Sequence, residues 1–271
     1  MASDNPNDPR PIGVFDSGIG GLTVLRELIQ RFPHESFAYL GDTARLPYGT
    51  KSPHTIRKYS EQNLDFLCRQ NVKSLVVACS SASTQIHESE FQGRKIYTVI
   101  IPSAKKALRE SVTQRIGVLG TRATVASQAY PQAIKKINPT AQVFSVACPL
   151  FVPLAEEGWG DDPLTNLVAY RYLKEISAQD IDTLILGCTH YPLLAPAIKK
   201  VMGPNVTLVE SGAAVADQME PELILAPRVS DETLQSLRVK IFVTDESDQF
   251  RDLAQRILGP SKINSFELIS L

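Results

Sequence analysis

Two doubly wound α/β domains of similar build, the first discontinuous, are the architecture this 271-residue sequence predicts. Three observations carry the prediction. Short apolar runs alternate with amphipathic segments, as in stacked βα units. The pattern restarts near Ile116, and the tail returns to it after a gap. Two of the apolar runs, one in each half, stop at a cysteine followed by small hydroxyl residues.

The elements follow in order. Pro11 to Phe15 is expected as the first strand, leading into the turn Asp16-Ser17-Gly18-Ile19-Gly20-Gly21. A helix then carries Leu22, Leu25, Leu28, Ile29 and Phe32 on one face, the 3.6-residue period. Phe37 to Leu40 is a second strand ending in Gly41-Asp42-Thr43. After the loop Leu46-Pro47-Tyr48-Gly49, a helix spans Pro53 to Arg69. Leu75 to Ala78 is a third strand and Ile96 to Ile101 a fourth. In the second half, Ile116 to Thr121 is a strand running into a polar turn. Val125 to Lys136 is a helix, and Gln142 to Ala147 and Thr183 to Leu186 are strands. The tail supplies a strand at Val239 to Val243, a helix at Ser247 to Leu258 and a strand at Phe266 to Ile269. Crossovers are expected near Pro102 and between Val206 and Ser211. This divides the chain into residues 1–100 with 209–271, carrying Cys79, and residues 101–208, carrying Cys188.

Composition narrows the function. A chain with 43% apolar and 21% charged residues reads as globular. A formal net charge of −1 gives no reason to expect nucleic acid or an anionic membrane surface as partner. No apolar run approaches a membrane span. Met1 to Arg10 is polar and reads as a short disordered lead, not a secretory signal. A cytoplasmic, reducing setting is therefore expected, and no disulfides.

Each of the four cysteines is then either packing or a reagent. They form no CxxC pair and no zinc spacing. Cys68 shares a helix with Leu64 and Leu67 and reads as packing, as does Cys148. Cys79 and Cys188 fall beyond the carboxyl ends of strands, where ligands sit in doubly wound sheets. Helix amides at such a turn lower a thiol's pKa from about 8.5. Phosphatase chemistry is excluded, because the sixth residue onward is Gln85 or Leu194 instead of arginine. Two thiols facing one substrate suit removal of a proton from one face of a carbon and its return to the other.

The neighbouring motifs add candidates. The glycine turn after Asp16 lacks the Lys-Ser/Thr of a P-loop and the spacing of a dinucleotide fingerprint. It reads equally as a packing turn, while Asp16 is a candidate acid, base or ammonium partner. His190, two residues beyond Cys188, is a candidate proton partner. Cys-x-His supplies only two metal ligands, so no metal is expected. Glu156 and Glu157 follow the apolar run Leu150 to Ala155 and read by default as the solvated end of a helix, where only burial would raise a carboxyl pKa.

Taken together, Val14 to Leu22, Asp42 to Gly49, Ala78 to Ala82, Gly120-Thr121 with Thr124 and Ser127, Cys148 to Leu154 and Leu186 to Leu194 resemble the bacterial glutamate racemases. These belong to the cofactor-independent aspartate/glutamate racemase superfamily. The resemblance runs from Pro11 to the C-terminus. It implies that Cys79 and Cys188 transfer protons, with Asp16 assisting Cys79 and with Glu156 and His190 on the Cys188 side. Glu156 is chosen over Glu157 because it directly follows the apolar run. Ser17, Pro47, Tyr48, Gly49, Ser80, Ser81, Thr124 and Thr189 map onto substrate-contacting positions. The resemblance also implies L- and D-glutamate as substrate, no pyridoxal phosphate or metal, an active site between two domains, a homodimer, and D-glutamate supply to peptidoglycan.

Two departures stand out. The family usually has Asn-Thr after its first cysteine, where this chain has Ser80-Ser81. The lost amide is worth about 1 kcal/mol at one contact where water does not replace it. Glu210-Ser211 stands where the family favours Asp-Ser. An aspartate racemase or related isomerase, or a binding protein on the same fold, is the alternative reading.

Overall fold

The computed structural model describes residues 8–223, 239–259 and 263–271. Residues 1–7 of the expected polar lead lie outside the described residues. In chain order the main elements are β1 (Ile12–Asp16), α1 (Leu22–Arg31), β2 (Phe37–Gly41), α2 (Pro53–Arg69) and β3 (Ser74–Val77). There follow α3 (Ser80–Ser83), β4 (Glu90–Phe91), β5 (Arg94–Thr98), α4 (Ile100–Glu110), β6 (Arg115–Gly120), α5 (Arg122–Ala126) and α6 (Ala129–Ile137). The second half continues with β7 (Gln142–Ala147), α7 (Phe151–Glu156), α8 (Pro163–Leu173), β8 (Thr183–Gly187), α9 (Ala195–Met202) and β9 (Thr207–Glu210). Last come α10 (Ser211–Leu223), β10 (Val239–Val243), α11 (Asp248–Leu258) and β11 (Ser265–Leu268).

Continuous apolar strands such as Ile12–Asp16 and Thr183–Gly187 are buried along their whole length. Strands buried on both faces belong inside parallel sheets. Among the described residues they form two sheets, ordered β11-β10-β2-β1-β3-β5-β4 and β7-β6-β8-β9. Every pairing is parallel except β4 with β5. In the first sheet the chain steps from β1 to β2 on one side and later to β3 on the other. In the second it steps from β6 to β7 and later to β8 on the far side. Each sheet therefore has a point where strand order reverses, and crevices open beyond the carboxyl ends there. Asp16 and Cys79 leave one such point, Thr121 and Cys188 the other.

The core is continuous across the sheets. One buried cluster contains Val14 and Val76 of the first, Val118 and Ile185 of the second, and Leu25, Ala104, Val215 and Met219 from α1, α4 and α10. The two crevices are thus fixed against each other by shared apolar packing.

Three expectations are corrected. The strand expected at Ile96 to Ile101 is Arg94–Thr98, and α4 begins at Ile100. Pro102 sits in that helix's first turn, where a missing N–H forfeits no helical bond. The helix expected at Val125 to Lys136 is split, because Gln128 adopts a left-handed conformation (φ 57°) between α5 and α6. The segment from Val206 to Ser211, expected as a crossover, contains β9, the edge strand paired with β8.

Candidate active site

Cys79 lies two residues beyond β3 and caps α3, with its side chain buried. Its sulfur is 3.6 Å from the Ser17 hydroxyl. Burial foremost, then the Asp16 charge, push the Cys79 thiol up to about 12, against hydrogen bonds from the Ala82 amide and Ser17. This reverses the expectation of a lowered pKa: a single amide does not offset a buried site beside a carboxylate.

Asp16 is itself fully buried at the end of β1. Its Oδ2 accepts from the Gly18 amide at 3.0 Å and its Oδ1 from the Thr189 hydroxyl at 3.2 Å. Burial raises its pKa, while the His190 charge and the amides of Gly18 and Gly21 pull the other way. The turn after it is a packing device. A Cβ on Gly21 would stand 2.3 Å from the Asp16 Cβ, and one on Gly20 would stand 2.4 Å from Thr189 Oγ1 and 2.5 Å from His190 Nδ1. The Thr23 hydroxyl lies 2.8 Å from the Thr189 carbonyl oxygen. Glycine here lets the Asp16 turn press directly on the Cys188 turn.

Cys188 follows β8 directly and is buried. Its sulfur lies 3.8 Å from His190 Nδ1, and His190 Nε2 lies 3.0 Å from Glu156 Oε1. Burial alone would depress the imidazole, but its bonds to Cys188 and Glu156 outweigh burial and hold it up at about 10. The Cys188 and Glu156 partners thus favour the charged imidazolium between sulfur and carboxylate. Glu157, by contrast, is exposed at the end of α7.

A narrow cleft joins these groups. Cys79, Cys188, Ser17, Pro47, Tyr48, Gly49, Ser80, Ser81, Thr189 and His190 all line it. Three expected residues do not. Asp16 stands behind Thr189, Thr124 stands 3.3 Å behind Ser81, and Glu156 stands behind His190 and lines a neighbouring cavity.

Two lining residues were missed, Thr121 and Val152. Thr121 follows the apolar run of β6, the same signal that marks both cysteines. Its hydroxyl lies 2.9 Å from Ser81 and 3.1 Å from Thr124, forming a hydroxyl triad from both halves. Val152 carries no sequence signal beyond being apolar on a helix. Asp42, buried beyond β2, was also missed as a support. It bonds the Tyr48 hydroxyl, accepts from Arg45 Nε at 2.8 Å and from Thr244 at 3.0 Å, and so anchors the loop whose Pro47, Tyr48 and Gly49 form one wall.

Cys68 and Cys148 are free and buried, and neither lines the cleft. Among the described residues no group of three or more His, Cys, Asp or Glu side chains is arranged to hold a metal ion. No helix among them is long and apolar enough to cross a membrane.

A family model described as Asp/Glu/hydantoin racemase matches residues 12–219. A glutamate racemase of Syntrophus aciditrophicus (strain SB) is 44% identical over 95% of this chain and 96% of that protein. One from Chlorobaculum tepidum is 41% identical over 100% of each chain. The crystal structure of the Francisella tularensis glutamate racemase in complex with D-glutamate matches with a TM-score of 0.87 at 35% identity, covering 97% of this chain and 98% of that one.

Proposed function

The chain belongs to the Asp/Glu/hydantoin racemase family, and from that premise we propose how it interconverts L- and D-glutamate. The observation that carries the reading is the pair of buried thiols, Cys79 and Cys188, lining one cleft with different partners. One cysteine, as thiolate, takes the α-proton: the C–H bond breaks, an S–H bond forms, and the electron pair stays on the substrate. The other, as neutral thiol, returns a proton to the opposite face and becomes the thiolate. Proton count is conserved, and the two sulfurs exchange roles with each turnover.

The partners fit these tasks. Burial and Asp16 favour the neutral thiol at Cys79, so Asp16 is assigned to proton handling there. At Cys188 the imidazolium of His190, backed by Glu156, supplies positive charge beside a sulfur that must become anionic. The developing negative charge on the substrate needs donors. Ser17, Ser80, Ser81, Thr189 and the Pro47-Tyr48-Gly49 backbone are assigned to that role and to holding the substrate, with Thr124 aligning Ser81.

The family is cofactor-independent, and a reaction without pyridoxal phosphate or metal is proposed here. We also assign a cytoplasmic homodimer, two domains at 1–100 with 209–271 and 101–208, and D-glutamate supply to peptidoglycan. The direct test is incubation of D- or L-glutamate with the protein in deuterium oxide. Deuterium at the α-carbon, together with formation of the opposite enantiomer, is expected. Unchanged α-hydrogen would overturn the reading.

A further inference from the structure

One wall of the cleft is held from behind by a closed ring of four side chains. Arg45 Nε donates to Asp42, at 2.9 Å to Oδ1 and 2.8 Å to Oδ2. Arg45 also donates to Asn63 Oδ1 at 3.1 Å, and Asn63 Nδ2 donates to the Tyr48 phenol oxygen at 2.9 Å. The phenol closes the ring by donating to Asp42 Oδ2. Asp42, Tyr48 and Asn63 are buried, so a lost bond leaves its partners away from solvent. Three of the four lie on one stretch, residues 42–48, that runs into the cleft wall. Asn63 alone comes from elsewhere, on α2. Arg45 reaches α2 a second and third time, through Gln62 Oε1 and over the Tyr59 ring at 4.2 Å. Among the described residues, no other α2 side chain hydrogen-bonds the Tyr48 phenol.

The Asn63 amide has one workable orientation. Arg45 offers only protons, so Oδ1 faces it and Nδ2 is left to face the phenol oxygen, whose own proton is thereby directed at Asp42. Two donor paths thus run from the Arg45 cation to the Asp42 carboxylate, one direct and one through Asn63 and Tyr48. Charge at both ends strengthens each bond between them. On its other side the loop presses on the second sheet's turn, where a Cβ on Gly49 would stand 2.6 Å from Thr121 Cβ. Pro47, Tyr48 and Gly49 line the cleft, so their backbone is placed by Thr121 in front and by the ring behind.

We propose that Asn63 is a positioning residue for substrate binding: by donating to Tyr48 and accepting from Arg45, it fixes the Pro47-Tyr48-Gly49 backbone in the geometry that holds glutamate. Asn63 does not line the cleft, and it acts through the Tyr48 phenol. Neither thiol nor His190 belongs to the ring, so holding the substrate and moving its proton are separable here. A contact that serves substrate and transition state alike changes KM and leaves kcat. This rests on the glutamate reading above and extends it to a residue outside the cleft lining.

The test is a double-mutant cycle in the intact protein: wild type, Asn63→Ala, Tyr48→Phe and the double variant. KM and kcat for both glutamate enantiomers are measured with Tm. Asn63→Ala and Tyr48→Phe should each raise KM about tenfold with kcat changed by no more than about twofold. In the Tyr48→Phe background, Asn63→Ala should raise KM by less than about twofold, since the bond it removes is already gone. An unchanged KM in Asn63→Ala overturns the proposal, whether or not kcat falls, because a merely structural loss reduces the number of working sites and not their affinity. Independent effects that multiply in the double variant overturn it too. Where Asn63→Ala does not fold, Tyr48→Phe decides instead, and an unchanged KM there overturns the proposal. A wild-type protein that does not racemise glutamate overturns the underlying reading, a separate outcome.

Discussion

The turns that carry Cys79 and Cys188 occupy the same place in their sheets and hold their thiols in opposite surroundings. Cys79 sits beside a buried carboxylate and a serine hydroxyl. Cys188 sits beside an imidazolium backed by a second carboxylate. Topology favours certain places for a reactive group, because strand order reverses between β1 and β3 in one sheet and between β6 and β8 in the other. Chemistry is then set by the residues that the neighbouring turns bring up. A reversible reaction at a single carbon can use two unlike acids, provided each passes through both protonation states.

The comparison breaks most sharply when either sulfur is removed. Cys79→Ser and Cys188→Ser should each lower racemisation of both enantiomers by about 10³-fold, the scale of a lost general acid or base. Near-normal turnover by either variant sinks the two-thiol account.

Next comes the contact that holds the turns together. Gly20→Ala places a methyl against Thr189 and His190, and overpacking of this kind costs about 1–3 kcal/mol. Urea unfolding should show a lowered midpoint at constant m-value, with racemisation reduced as His190 is displaced.

Glu156→Gln addresses the Cys188 side alone. It removes a charge that helps keep the imidazole protonated, so activity should fall about tenfold and the alkaline limb of the pH–rate profile should move to lower pH. Glu157→Gln, at an exposed position, should leave the profile in place. Equal effects from the two variants would refute the pairing.

The gentlest probe at any one pH is stability itself. His190 is raised to about 10 in the folded protein, against about 6.5 in an unfolded chain. A raised pKa contributes stability that is complete below the unfolded value and is lost as pH climbs through the folded one. Tm should therefore decline between about pH 6.5 and 10, and the decline should flatten in His190→Asn. Cys79, raised to about 12, extends the loss in the same direction at higher pH.

Much of this arrangement is legible in sequence because parallel strands buried on both faces read as unbroken apolar runs. Their ends point at ligand positions, which picks out Asp16, Cys79 and Cys188 and, by the same rule, Thr121 and Asp42. What defeats the reading is information held elsewhere. Asp42's partner Thr244 lies 202 residues away. Helix α8 has Leu164, Leu167 and Tyr170 facing outward, so apolar residues on both sides blur its period. The direction of the Cys79 shift depends on burial beside Asp16, a three-dimensional fact.

The pairing of β10 with β2 has a consequence in time. During synthesis both thiols, His190 and Glu156 leave the ribosome well before Val239. Until β10 arrives, β2 has one bare edge, a template for pairing with another chain. Thr244, just beyond β10, also completes the support of Asp42 behind Tyr48. A chain halted before Val239 would carry every proposed acid and base, with an open sheet and an incompletely anchored cleft wall. Competence thus arrives with the last strands made, although the chemistry is encoded long before them.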